Sequence, residues 1–157
     1  MSTATLLTIL GIWTLAAAGI QLGTLWIMKL SILPLLNALP YDRYVNTCQL
    51  IKMHVFHPIA VWSGVIAGSL GVVAAIVTDS TAGTVFFLLG SLGMLGVGLT
   101  SEGVNRPIWR QIEKWSVDKV SDERWAHKRH VWYLAHETRT YFGILAVVAY
   151  IAAVATI

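Results

Sequence analysis

The sequence predicts an all-α fold: an integral membrane four-helix bundle with an amphipathic helix between its third and fourth spans. Three observations carry this expectation. Of 157 residues, 56% are hydrophobic and only 12% charged, and the mean hydropathy is +0.67; a soluble domain carries about twice that charged fraction. The charges are clustered, which leaves long stretches with none. Four of those stretches approach the roughly 20 apolar residues that cross a bilayer core.

The first span, about 6–28, is interrupted only by Gln21 and a few hydroxyls. It lacks a basic leading region and is too long for a signal-peptide core, so it reads as a span. The second and third, 59–77 and 82–100, carry no charge. The fourth, 135–157, is apolar from Tyr141 onward, with Val131 to Ala135 extending it upstream. Segments 29–58 and 101–134 then lie on one side of a single membrane domain, 1–157. Within them 107–124, with Trp109, Ile112, Trp115 and Val120 among charges, is expected to lie on the membrane as an amphipathic helix.

Glycines recur at packing intervals. Gly19 and Gly23, and Gly64 and Gly68, stand four apart; Gly90, Gly93 and Gly96 repeat every three residues. Such spacing lets helix backbones approach closely, within one chain or between copies in a homo-oligomer.

All 11 Lys and Arg fall in 29–58 and 101–140, whereas the opposite face holds only Asp79. The positive-inside rule makes the basic face cytoplasmic and puts both termini outside, as expected in an inner or plasma membrane. The net charge of +3 then reflects orientation in the lipid bilayer and implies no nucleic-acid partner. Cys48, the single cysteine, excludes a disulfide framework and reads as a small buried residue.

The reactive residues gather on the basic face. His54, His57, His127, His130 and His136 are all there, with Glu102, Asn105, Asn46 and Gln49. A helix running from Tyr41 through Pro58 would align Asn46, Gln49, Met53 and His57. Glu102 and Asn105 are three apart at the end of the third span. In the last helix Trp125, Arg129, Trp132, His136 and Arg139 recur at intervals of four and three. A polar stripe that continues into the membrane must face protein or water, because an ion in lipid is costly. Three such stripes would converge at the basic end of the bundle. Within "HETRT", His136 and Arg139 share the inward face and Glu137 does not. Interfacial snorkelling is the plainer alternative for Arg139 and His136; Arg106, Arg110, Lys114, Lys119, Arg124 and Lys128 read as solvated or headgroup charges.

Two chemistries suit these residues. His54 and His57, with His136 and Glu102 from other helices, would form an N/O ligand set for iron, copper or zinc. An arginine beside a histidine suits holding an anionic oxygen, a phenolate or enolate, while a neutral imidazole moves a proton.

The order of residues also resembles the anthrone oxygenase-like family of small four-helix membrane proteins. The resemblance rests on "NRPIWRQIEKW" at 105–115, on Trp125, Arg129, Trp132, His136, Arg139 and Thr140, on Pro34 and Leu35, and on Gln49, Ile51 and Pro58. It runs over about 5–155 through short motifs; Lys52, His57 and Trp109 stand where the family pattern has asparagines. The resemblance implies an enzyme that oxygenates an activated aromatic or polyketide-like carbon with molecular oxygen as co-substrate. His136 would then be the base or orient it, Arg139 would stabilise the anion, and Glu102 with Asn105 and Gln49 would bind the small aromatic substrate. Trp115 and Trp132 would sandwich its ring.

The competing expectations are a proton or small-molecule transporter and a non-enzymatic accessory subunit. Against the first, the outer halves of all four spans carry no charged residue, so a path of ionisable groups would end halfway. Against the second, the histidine cluster would be surplus.

Overall fold

The computed structural model describes residues 2–51, 53–118 and 124–157, except for the side chains of 53–56. Helix α1 (Thr3–Ile27) starts at a Ser2 cap, whose hydroxyl accepts from the Thr5 N–H at 3.2 Å. It runs through a π-helical turn (Met28–Ile32) into α2 (Leu33–Ala38). Helix α3 (Tyr41–Ile51) is followed by α4 (Met53–Val77). Helix α5 (Thr81–Thr100), capped by Ser80, passes through a second π-helical turn (Ser101–Asn105) into α6 (Arg106–Ile112). Helix α7 (Arg124–Val154) ends the fold.

Prolines set both π turns. Pro34 and Pro107 are each the second residue of the following short helix. A proline ring clashes with the carbonyl four residues back, here Leu30 and Gly103, and both lie inside the widened turns. The Leu33 and Arg106 N–H groups reach back five residues, to Met28 and Ser101. Pro58 lies inside α4 near the same end.

Among the described residues four helices are long and apolar enough to cross a membrane: Thr3–Ala38, His57–Val77, Thr81–Ile112 and Arg124–Val154. The first and third, of 36 and 32 residues, would reach about 54 and 48 Å at 1.5 Å per residue, against roughly 30 Å of hydrocarbon. The excess extends past the core on the basic side. In cross-section the spans form a ring in which α1 touches α4 and α7, and α5 touches α4 and α7.

Two cores result. Between the spans, small residues (Ala17, Ala18, Ala67, Ala74, Ala146, Ala153) surround Phe87 and Tyr150. Large apolar side chains such as Ile12, Trp62, Ile76, Leu92 and Leu145 face outward, the arrangement expected where lipid is the solvent. The second core is a cap in which Tyr41, Tyr44, Val45 and Cys48 of α3 pack with Leu33, Leu36, Trp109, Ile112 and Trp132.

The glycines divide by face. An added Cβ at Gly90 would stand 2.4 Å from the Tyr150 ring, at Gly93 2.9 Å from Ala146, and at Gly96 2.8 Å from the Phe142 ring. These three let α5 and α7 approach. Gly64 and Gly68 make ordinary contacts with Gln21 and Met94. Gly19 and Gly23 do not serve close approach within this chain, since a Cβ there meets nothing within 4 Å among the described residues. Gly90→Ala should therefore cost about 1–3 kcal/mol through overpacking, whereas Gly19→Ala should be neutral or stabilising. Thermal unfolding in detergent checks both; equal melting temperatures would refute the close α5–α7 contact.

The expected amphipathic helix over 107–124 is corrected. Residues 106–112 continue the third span and bury Trp109 and Ile112 in the cap, because Pro107 widens the turn before it without breaking the helix. Residues 119–123 lie outside the described residues. The expected helix from Tyr41 through Pro58 is helical on both sides of residue 52, which lies outside the described residues. The buried face of α3 is Tyr41, Tyr44, Val45 and Cys48, and Asn46 is exposed.

Cys48 is fully buried in the cap. Burial, the largest influence, pushes its thiol up from 9.0 to about 12, and burial also raises the Tyr44 hydroxyl. Above pH 9.0 the unfolded chain releases a thiol proton that the folded chain keeps until about 12. Stability contributed by the neutral thiol is thus complete below that window and is lost as pH rises through it. The melting temperature should fall across the window, and Cys48→Ala should flatten the fall. An unchanged slope in the variant would refute the assignment.

Candidate functional site

The site begins at His136, which is fully buried on α7. Its Nε2 lies 3.1 Å from the Leu25 carbonyl oxygen. A carbonyl only accepts, so Nε2 carries the proton. Its Nδ1 faces Arg139, one turn along α7, with Arg139 Nε at 3.1 Å and Nη2 at 2.6 Å. A guanidinium only donates, so Nδ1 is the acceptor. Both ring nitrogens are engaged, and the partners fix a neutral imidazole in the Nε2–H form.

Arg139 is half-buried. Its third donor, Nη1, bonds the Ser101 hydroxyl at 3.2 Å. Ser101 opens the second π turn, so the widening caused by Pro107 lies at the point where the guanidinium arrives. Among the described residues no carboxylate pairs with Arg139. The nearby acids are committed elsewhere: Glu137 accepts from Lys29 Nζ at 2.6 Å, and Glu102 binds both Arg106 and His57. An arginine at the centre of a span costs about 3 kcal/mol on insertion scales, less toward its ends, and Arg139 stands toward the basic end. Here its hydrogen-bonding partners are neutral, and two of its five N–H groups remain after these three bonds.

Two cavities meet at Arg139, Ser101 and His57. One, of about 250 Å³, enters the cap between Trp109, Trp132 and Asn105. The indole rings of Trp109 and Trp132 stand 5.7 Å apart at 40°. Asn105 is only 4% exposed, and neither its amide nitrogen nor its oxygen has a partner among the described residues. Such a group is costly to bury and marks a place for a polar ligand. The second cavity, of about 810 Å³, is a lateral groove between α4 and α5. At the junction His57 Nε2 lies 2.9 Å from Glu102 Oε1.

The structure thus brings together His57, Glu102, Asn105, Trp132, His136 and Arg139. It places two expected substrate residues elsewhere. Gln49 donates to the Glu113 and Trp115 carbonyls at 3.3 and 3.0 Å, tying α3 to the chain after α6. That capture lays Trp115 on Tyr41, with ring centroids 6.2 Å apart, so Trp109 and not Trp115 faces Trp132. Of the expected histidine ligand set, the His54 side chain lies outside the described residues. Both ring nitrogens of His136 are engaged, and among the described residues no group of three or more His, Cys, Asp or Glu could hold a metal ion. Sequence reasoning missed Ser101 and Trp109. The signal for Ser101 was available, since it stands four before Asn105 and shares its helical face.

Fold and site together define a small all-helical membrane protein whose four apolar helices form a bundle, with a polar cluster at one end. No family model, curated protein or solved structure matches the chain. The likeness to the anthrone oxygenase-like family rests on its short motifs alone.

Proposed function

We propose that the protein is a membrane-embedded oxygenase that activates a small acidic aromatic or polyketide-like molecule toward molecular oxygen, with the basic face and its site cytoplasmic. The observation that supports this best is Arg139: a cation inside a span, without a carboxylate partner among the described residues, at the meeting point of two cavities. Its spare N–H groups suit a phenolate or enolate oxygen, and Asn105 supplies a further donor and acceptor to the same molecule. The ring would lie against Trp132 and Trp109.

The proton-moving role passes from His136 to His57. Glu102 would hold the His57 Nε2–H, leaving Nδ1 to take the substrate's C–H proton. The resulting anion gives one electron to oxygen, and the two radicals couple and are protonated to a substrate hydroperoxide. Loss of water leaves a carbonyl. In balance, one activated methylene and one dioxygen give one ketone carbonyl and one water: the carbon loses both hydrogens and gains one oxygen atom, and the other oxygen atom leaves with those hydrogens.

Oxygen uptake by the purified protein with an anthrone or a related phenolic tests the reading, and substrate-dependent uptake is expected. Glu102→Gln should slow it about a hundredfold. Absence of uptake with the wild-type protein across such substrates would overturn the proposal; wild-type rates in Glu102→Gln would remove the His57–Glu102 pair from it.

A further inference from the structure

The lateral groove adds the shape of the ligand. It is lined on α4 by Val61, Gly64, Val65, Gly68 and Val72, and on α5 by residues from Leu88 to Leu99. At one end stand His57, Glu102, Ser101 and Arg139; the other end, at Val72 and Leu88, has no charge. From His57 to Val72 the groove runs about 22 Å at 1.5 Å per residue, which is most of the roughly 30 Å hydrocarbon thickness. It lies along a span and so opens sideways to lipid. Glycine on both walls makes the depth: a Cβ at Gly98 would meet nothing within 4 Å, and one at Gly68 only Met94 at 3.6 Å.

We infer that the ligand of this site is a single-chain amphiphile, with an acidic oxygen headgroup at Arg139 and an apolar tail laid in the α4–α5 groove, admitted sideways from the bilayer. This rests on the reading of Arg139 as an anion partner. Charge complementarity selects the occupant. A lipid tail alone would fill the groove and leave the guanidinium without an anion, and a small soluble anion would satisfy Arg139 and leave the groove empty. The unpartnered Asn105 amide, 4% exposed and beyond Arg139 in the cap cavity, offers the headgroup a donor and an acceptor where the tail cannot reach. The ligand therefore spans both cavities, polar end toward the cap and apolar end toward the bilayer centre.

The test uses the full chain in nanodiscs of zwitterionic phospholipid and a long-chain fatty acid bearing a diazirine at its far end. After photolysis, adducts are expected at Ser69, Val72, Leu88 and Leu92, the end of the groove away from Arg139. Gly98→Phe, which fills open space, and Leu95→Trp, on the groove wall, should each cut this labelling about tenfold; so should Arg139→Gln. A lysophosphatidylcholine with the same diazirine tail should label the groove at least about tenfold less. Adducts spread evenly over other lipid-facing residues such as Ile12, Leu145 and Ile151 would overturn the inference. So would labelling insensitive to both groove variants, or equal labelling by the zwitterionic probe. Oxygen uptake with an untailed phenolic in Arg139→Gln separates the two readings. If uptake depends on Arg139 and groove labelling fails, the amphiphile is wrong alone; if uptake ignores Arg139, the anion reading falls with it.

Discussion

Arg139→Gln should lower substrate-dependent oxygen uptake by about 10²–10³, the loss expected when a donor aimed at a developing oxyanion is removed from a water-poor site. Arg139→Lys should recover little of it. The guanidinium reaches His136 Nδ1 by two nitrogens and Ser101 by the third; an ammonium is a point charge and cannot reproduce that fork. Stability should move the other way. The arginine has no carboxylate partner among the described residues, so its replacement by a neutral amide removes a charge from the apolar part of the bundle. The melting temperature in detergent should hold or rise while turnover collapses. A structural arginine would behave oppositely, with unfolding and activity lost together, and that outcome would sink the functional assignment.

The four spans and the lopsided charge were legible in the sequence because both are properties of composition along the chain. Uninterrupted apolar runs need nothing beyond local reading. The inward orientation of His136 and Arg139 was legible too, since a spacing of three on a helix fixes a shared face. What the sequence concealed depends on non-local geometry. Gln49, an expected substrate residue, instead holds the Glu113 and Trp115 carbonyls, over sixty residues away; no periodicity encodes that choice. Trp115 follows it out of the site, and Trp109 enters because the chain stays helical past Pro107. The glycines teach the same lesson. Gly90 and Gly19 both belong to regular motifs, but only the first faces a neighbouring helix. Spacing determines which residues share a face, and the order of helices around the ring determines which faces meet.

His136→Ala should reduce turnover about a hundredfold with little change in KM, because the histidine acts through Arg139. Its Nδ1 holds the guanidinium at 2.6 Å, and its Nε2–H is tied to the Leu25 carbonyl in α1. Loss of the ring leaves Arg139 anchored only at Ser101, and a displacement of about 1 Å at a charge that must meet a developing oxyanion is enough for a loss of that size. The same change removes a hydrogen bond between α7 and the Leu25 carbonyl, which keeps the Met28 N–H, and opens a cavity, so the melting temperature should fall, by about 2–4 kcal/mol in stability. A merely structural role would produce the fall alone. Two further readings separate positioning from proton transfer. His136→Ala should keep the wild-type shape of the pH–rate profile, since its lone pair is already spent on Arg139, whereas His57→Ala should change that shape. His136→Gln, whose side chain has both a donor and an acceptor, should recover part of the rate. If His136→Ala alters the pH profile while His57→Ala leaves it intact, the base is His136 after all, and its bond to Arg139 must break when substrate binds.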